Sequence, residues 1–190
     1  MVSEELRGAV PLSHLFLRER VRPGDRVVDA TCGNGRDTLV LAGLVGPSGR
    51  VWGFDIQETA LYAAGTLLEK AGHRDRVELV HAGHERLAEF VSAPVTAVVF
   101  NLGYLPGGNR ECVTRPRATT AAAGQAAGLL APGGFILMVL YTGHGGGPEE
   151  AAAVESWAAA LPPKEYHVWN CRQMNRSCAA PYVILIEKAC

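Results

Sequence analysis

Short β-branched runs that alternate with stretches of helical periodicity leave this 190-residue chain few folds other than an α/β sheet. Residues 26–30, 50–55, 77–80, 96–101 and 135–140 read as strands. Residues 37–44, 59–71, 85–91 and 118–130 read as the helices between them. Pro148 followed by Glu149 and Glu150 marks another helix start, with proline in the first turn and carboxylates at the positive end of the dipole. Two further strands, 166–170 and 182–187, follow with no helix between them, and such a pair is most simply antiparallel. The spacing therefore predicts βα repeats that build a mostly parallel sheet, closed by a terminal hairpin. A chain of this length is expected to form one domain over 1–190, with a helical segment over 1–24 placed to cover a substrate.

Charge and composition narrow the functions available. The formal net charge is −1, so no global cationic field draws nucleic acid or membrane, although a local grip on one RNA is not excluded. The longest apolar runs are far too short to span a bilayer, and no membrane partner is expected. Residues 1–7 are charged and lack an apolar h-region, so no signal peptide is expected. Five cysteines in no framework spacing point to a reducing compartment, the cytoplasm. Cys171 and Cys178 have no matching Cys or His pair, so no metal is expected.

On a sheet of this kind ligands sit at the carboxyl ends of the strands. Residues 29–38 (DATCGNGRDT) follow the first strand and open the first helix. Gly33 and Gly35 permit a sharp turn and a close backbone approach. The dinucleotide fingerprint needs a third glycine where Thr38 stands, and Asp37 in the first helical turn would repel a pyrophosphate. The loop instead suits a ligand with a positively charged amino-acid end, such as S-adenosylmethionine, with Asp29 offered to the ammonium group. Asp55 ends the second strand 20 residues after Gly35, where a carboxylate can hold ribose hydroxyls; alternatively it caps the next helix. Gln57 adds a polar contact to the adenosine.

Residues 101–108 (NLGYLPGG) resemble the N-P-P-Y-type motif of amine-directed methyltransferases. Together with residues 29–38, 54–57 (FDIQ), 141–147 (YTGHGGG) and 186–188 (IEK), they resemble a small bacterial family labelled "rRNA methylase". Some of its members are tRNA methyltransferases that complete 5-methylaminomethyl-2-thiouridine at the wobble position. The resemblance implies a Rossmann-like class I methyltransferase fold, a seven-stranded sheet with an antiparallel C-terminal strand and helices on both faces. It also implies S-adenosylmethionine as cofactor, a tRNA anticodon loop as partner, and a homodimer. Carried onto matching positions, the cofactor would meet Asp29, Thr31, Gly33, Asn34, Gly35, Asp37, Thr38, Asp55, Ile56, Gln57, Gly83, His84, Asn101 and Gly103.

The chain departs from the family pattern in three places. Thr31 stands where many class I methyltransferases have glycine. Ala82-Gly83-His84 replaces Asp-Ser-His after the third strand, which removes an acidic contact to adenine. Residues 172–181 (RQMNRSCAAP) alter the family's N-Q-x-N-x-P-P and bear on the substrate.

An amine nucleophile must arrive neutral with its lone pair aimed at the methyl carbon. Asn101 is the candidate for accepting the amine hydrogens, and Tyr104 for stacking on the base. His144, with Tyr141 beside it, is the candidate base; the other reading is a loop histidine bonded only to backbone. Arg110, Arg115, Arg117, Arg172 and Arg176 are candidates for holding phosphate, and His14 and Arg18 for a lid. A nucleotide-cofactor oxidoreductase lacks its third glycine. A hydrolase, suggested by residues 144–147 (HGGG), lacks a G-x-S-x-G elbow.

Overall fold

The computed structural model describes residues 6–91, 94–103 and 114–190. Helix α1 (Ala9–Arg20) precedes strand β1 (Arg26–Asp29), and α2 (Arg36–Val45), β2 (Arg50–Asp55), α3 (Glu58–Lys70) and β3 (Val77–His81) follow. A 3₁₀ turn (His84–Arg86) leads into α4 (Leu87–Phe90), then β4 (Val95–Asn101), α5 (Pro116–Leu129), β5 (Leu130–Leu140), α6 (Gly147–Ala159), β6 (Tyr166–Cys171) and β7 (Tyr182–Lys188). The seven strands form one sheet in the order β3-β2-β1-β4-β5-β7-β6. The first five are parallel, and β7 runs antiparallel to both β5 and β6. The expected fold class and terminal hairpin are both present.

The central strands are apolar almost throughout because both faces are covered. Val28, Val98, Ile136, Met138 and Ile184 point to one side, against Ala122 and Ala126 of α5 and Val154 of α6. Val27, Val99, Leu137 and Val183 point to the other, against Leu17 of α1, Leu41 of α2 and Leu68 of α3. Alanine-rich α5 fits this role because small side chains let a helix lie close to the sheet. No helix among the described residues is long and apolar enough to cross a membrane.

Two expectations need correction. The helix expected over 85–91 is a 3₁₀ turn followed by a single α turn. Strand β5 starts at Leu130, five residues before the expected 135, through a Pro-Gly-Gly stretch that reads as a turn. Its pairing with β4 shifts register between Val95 and Ala97. A Cβ on Gly134 would lie 2.9 Å from the Ala131 carbonyl oxygen, so only glycine fits this irregularity.

The strand order reverses between β1 and β4, and the carboxyl ends of β1 to β5 open on the same edge of the sheet.

Candidate active site

A cavity of about 1080 Å³ occupies that edge. Its floor is the loop after β1, where Gly33 (φ 51°) and Gly35 (φ 82°) take left-handed conformations. A Cβ on Gly35 would also sit 2.8 Å from the Cβ of Ala64, so this glycine lets α2 start hard against α3.

Asp55 ties the loop to the end of β2. Its Oδ2 accepts the Gly33 N–H and its Oδ1 the Gln57 N–H, both at 2.8 Å. The carboxylate lines the cavity, as do Ile56 and Gln57, and retains lone pairs for further donors. Gln57, not Asp55, is the N-cap of α3; Asp55 closes the turn just before it and faces the cavity.

Asp29 is placed differently from the expectation. It is fully buried and does not reach the cavity wall. Its Oδ1 accepts the Thr31 N–H at 3.1 Å and its Oδ2 the Thr38 hydroxyl at 2.6 Å. Burial first, and then the nearby charge of Asp37, push its carboxyl up to about 7. Asp29, Gly35 and Thr38 form the support under the loop; Thr31, Gly33, Asn34 and Asp37 form the surface above it.

Thr31 has a use that glycine could not supply: its hydroxyl accepts the backbone N–H of Asn101 at 2.7 Å, stitching the β1 loop to the end of β4. The Asn101 side chain reaches the same region. Its Nδ2 donates to Asp37 Oδ2 at 3.0 Å, and Asp37 Oδ1 meets Nε2 of His14 at 2.7 Å. All three of these side chains line the cavity.

Beside Asn101, Gly103 adopts φ 150°, a conformation that favours glycine. A Cβ there would come within 3.7 Å of both Tyr141 and Nε2 of His144. Tyr141 and His144 therefore close the wall above the β4 end, and burial raises the Tyr141 hydroxyl above its usual range. His144 Nδ1 lies 3.1 Å from the Gly145 carbonyl, so this nitrogen carries the hydrogen when the ring is neutral. Gly103 and Thr114 exchange hydrogen bonds: the Gly103 N–H donates to Thr114 Oγ1 and the Thr114 N–H to the Gly103 carbonyl. Buried Glu150 accepts the hydroxyls of Thr114 and Thr119, each at 2.6 Å.

The third strand contributes Gly83 and His84. The His84 ring is buried edge-on against Phe100, and burial lowers its basicity. Glu85, which the sequence reading passes over, also lines the cavity. A Cβ on Gly83 would lie 2.3 Å from its Oε2, so glycine here admits a carboxylate that folds back along the wall. An acidic side chain thus stands at the wall three residues after position 82.

Not every expected residue gathers at the cavity. Arg115 does, and Arg18 does not. Arg172 lines a separate cleft, where it bonds Glu155 at 2.6 Å and lies 3.5 Å over the Tyr182 ring. Arg117 and Arg176 are exposed. Tyr104 and Arg110 lie outside the described residues. Helix α1, expected as a lid, is packed through buried Ala9, Ser13 and Leu17, with Arg20 bonded to Glu187 and over the Phe135 ring.

The wall carries three acids, Asp37, Asp55 and Glu85, beside two cations, Arg36 and Arg115, and both oxygens of Asp55 are held by backbone amides, an arrangement that suits a ligand with a charged amino-acid end and a polar nucleoside part.

Comparison with known proteins gives consistent results. A family model described as "Putative rRNA methylase" matches residues 51–187. A protein of Arabidopsis thaliana named "tRNA (mnm(5)s(2)U34)-methyltransferase, chloroplastic" is 37% identical over 190 residues, covering 95% of this chain and 69% of its own. A Clostridium thermocellum crystal structure named "putative rRNA-methylase" superposes with a TM-score of 0.94 at 40% identity, over 97% of this chain and 100% of that one. A Streptococcus mutans structure named "a putative methyltransferase" in complex with SAH gives 0.86 at 31% identity, over 99% of each chain.

Proposed function

The chain belongs to the rRNA methylase family of S-adenosylmethionine-dependent methyltransferases, and on that premise we propose that it methylates the aminomethyl nitrogen of 5-aminomethyl-2-thiouridine at the tRNA wobble position. The observation that carries the choice of an amine is the orientation of Asn101. A carboxylate can only accept, so the Asn101 NH₂ must face Asp37, and its Oδ1 is left for the cavity. An acceptor oxygen at the methyl-transfer position suits a nucleophile that brings N–H groups.

S-adenosylmethionine supplies the methyl group when bound. In this reading Asp55 holds its ribose hydroxyls, with Ile56, Gln57, Gly83, His84 and Glu85 around the adenine. Thr31, Gly33, Asn34 and Asp37 lie along its amino-acid end, over the support formed by Asp29, Gly35 and Thr38.

The incoming alkylamine is protonated in water, with a pKa of roughly 10. Desolvation in the cavity lowers that value. His144 is the base in this reading: its Nδ1–H is directed to Gly145, and its Nε2, buried beside Gly103 and Gly147, takes the amine proton once the ring turns toward the cavity. Asn101 Oδ1 then accepts a remaining amine hydrogen, which aims the nitrogen lone pair and stabilises the positive charge that grows on nitrogen. Tyr141, Gly103 and Leu102 wall this region from solvent.

Recognition of the anticodon loop rests on local cations such as Arg115, with Tyr104 and Arg110 as further candidates, because the net charge of −1 gives no global attraction.

Labelled S-adenosylmethionine and tRNA from cells that lack the final wobble methylation test the proposal. A new methyl on the aminomethyl side chain, lost in Asn101→Ala, is the expected result. Cofactor binding without transfer to this tRNA overturns the acceptor and directs the search to ribosomal RNA and small amines.

A further inference from the structure

Asn101 does not hold its orientation alone. Its amide is the last member of a chain that starts on the N-terminal helix: His14 Nε2 to Asp37 Oδ1 at 2.7 Å, then Asp37 Oδ2 from Asn101 Nδ2 at 3.0 Å. His14 and Asp37 are 14% and 10% exposed, so water competes little for these bonds. Three elements meet here: α1 through His14, the first turn of α2 through Asp37, and the end of β4 through Asn101.

We propose that His14 and Asp37 are positioning residues that fix the Asn101 amide with its oxygen toward the cavity, and so select a nucleophile that carries N–H. Asp37 supplies the polarity. A free asparagine side chain presents oxygen and nitrogen with equal ease, whereas one facing an ionised carboxylate presents only oxygen to its other side. His14 supplies the rigidity. Unheld, the Asp37 carboxylate rotates about its terminal torsion, which is soft for an sp³–sp² bond. The His14 hydrogen bond pins one oxygen and leaves the other aimed at Asn101.

The foundation of His14 is itself fixed. Ala9, Ser13 and Leu17 pack α1 inward, and Arg20 at its far end bonds Glu187 and covers the Phe135 ring. The backbone of Asn101 is held independently by the Thr31 hydroxyl. Removing His14 should therefore release the amide without displacing the strand.

This inference rests on the reading of Asn101 given above, and two measurements keep them apart. The first uses the protein without ligand. In an ¹H–¹⁵N spectrum the Asn101 side-chain pair is identified by its loss in Asn101→Ala. It should shift and exchange faster with solvent in His14→Ala, and return toward its original position in His14→Gln, whose amide can still donate to Asp37. An Asn101 signal unchanged in His14→Ala overturns the proposal.

The second is kinetic, with whichever amine acceptor the wild-type protein methylates. His14→Ala should lower kcat by about 10- to 100-fold, as a misaimed nucleophile does, with the cofactor Kd within about threefold of wild type. His14→Gln should recover most of the loss. Equal losses in both variants, or a loss that appears only in cofactor affinity, overturn a positioning role. If Asn101→Ala transfers methyl as well as wild type, the reading of Asn101 fails, whatever the spectrum shows.

Discussion

Thr38 Oγ1 donates a 2.6 Å hydrogen bond to Oδ2 of Asp29 at a point where neither residue has solvent exposure. The bond holds a carboxylate directly beneath a loop built to meet a ligand. Burial and the charge of Asp37 outweigh the stabilising bonds from Thr38 and Thr31, which is why the carboxyl rises to about 7.

That shift makes stability depend on pH in a defined direction. An unfolded aspartate has released its proton well below pH 5, whereas folded Asp29 keeps its proton until about pH 7. Between about pH 4 and 7 the native state binds more protons, so this group's contribution falls as pH rises. Asp29→Asn removes the dependence. Its stability relative to wild type, from urea unfolding, should increase on the order of 1–3 kcal/mol between pH 5 and pH 8. A difference that stays flat across that range would show that Asp29 titrates normally.

Asp55 joins two backbone amides to the cavity wall. Asp55→Ala removes an acceptor for both amides and for the ribose, and charged hydrogen bonds of this kind are worth about 1.5–3 kcal/mol each. Calorimetric titration should show S-adenosylmethionine binding weakened by about 10- to 100-fold. Unchanged affinity would move the nucleoside elsewhere in the cavity.

Gly83 and Glu85 form a second pair at the wall. Gly83→Ala brings a methyl to 2.3 Å from the Glu85 carboxylate and must push it aside. Glu85 is exposed and its side chain is long, so the thermal midpoint should barely move. If Glu85 contacts the adenine amine, Gly83→Ala and Glu85→Gln should each weaken the cofactor by a similar factor, and the double variant should be no worse than either. Additive losses would mean the two act separately.

Glu150 carries no part of the proposed chemistry but accepts the Thr114 and Thr119 hydroxyls while buried. Glu150→Ala leaves both hydroxyls without that acceptor and opens a void. The expected cost is about 2–4 kcal/mol in chemical denaturation, and Glu150→Gln should lose roughly half as much because one acceptor oxygen remains. A loss below 1 kcal/mol for Glu150→Ala would mean that water replaces the carboxylate freely.

Much of the site was legible because its signals are local. A glycine pair after a strand, an acid at the next strand end and an asparagine at the end of β4 are patterns of neighbours, and Gly33, Asp55 and Asn101 from them line one cavity, with Gly35 beneath it. Glu85 carries no local signal, because it opens a stretch of helical periodicity and only the absence of a Cβ on Gly83 lets its carboxylate fold back to the wall. The placement of Arg172 in a separate cleft was not legible, because its partners Glu155 and Tyr182 lie 17 and 10 residues away on other elements.

The sequence by itself determined the architecture: short, nearly continuous β-branched apolar runs and intervening helical periodicity dictate which backbone forms and that both faces of the sheet must be covered, and those are properties of adjacent residues. Only the tertiary structure decided which side chains act on one another. His14 and Asp37 are 23 positions apart, Asp37 and Asn101 64, and Thr31 and Asn101 70. No local pattern encodes such pairings. They exist because packing α1 and α2 against the sheet brings three polar side chains to one partly buried point, where each must satisfy the others.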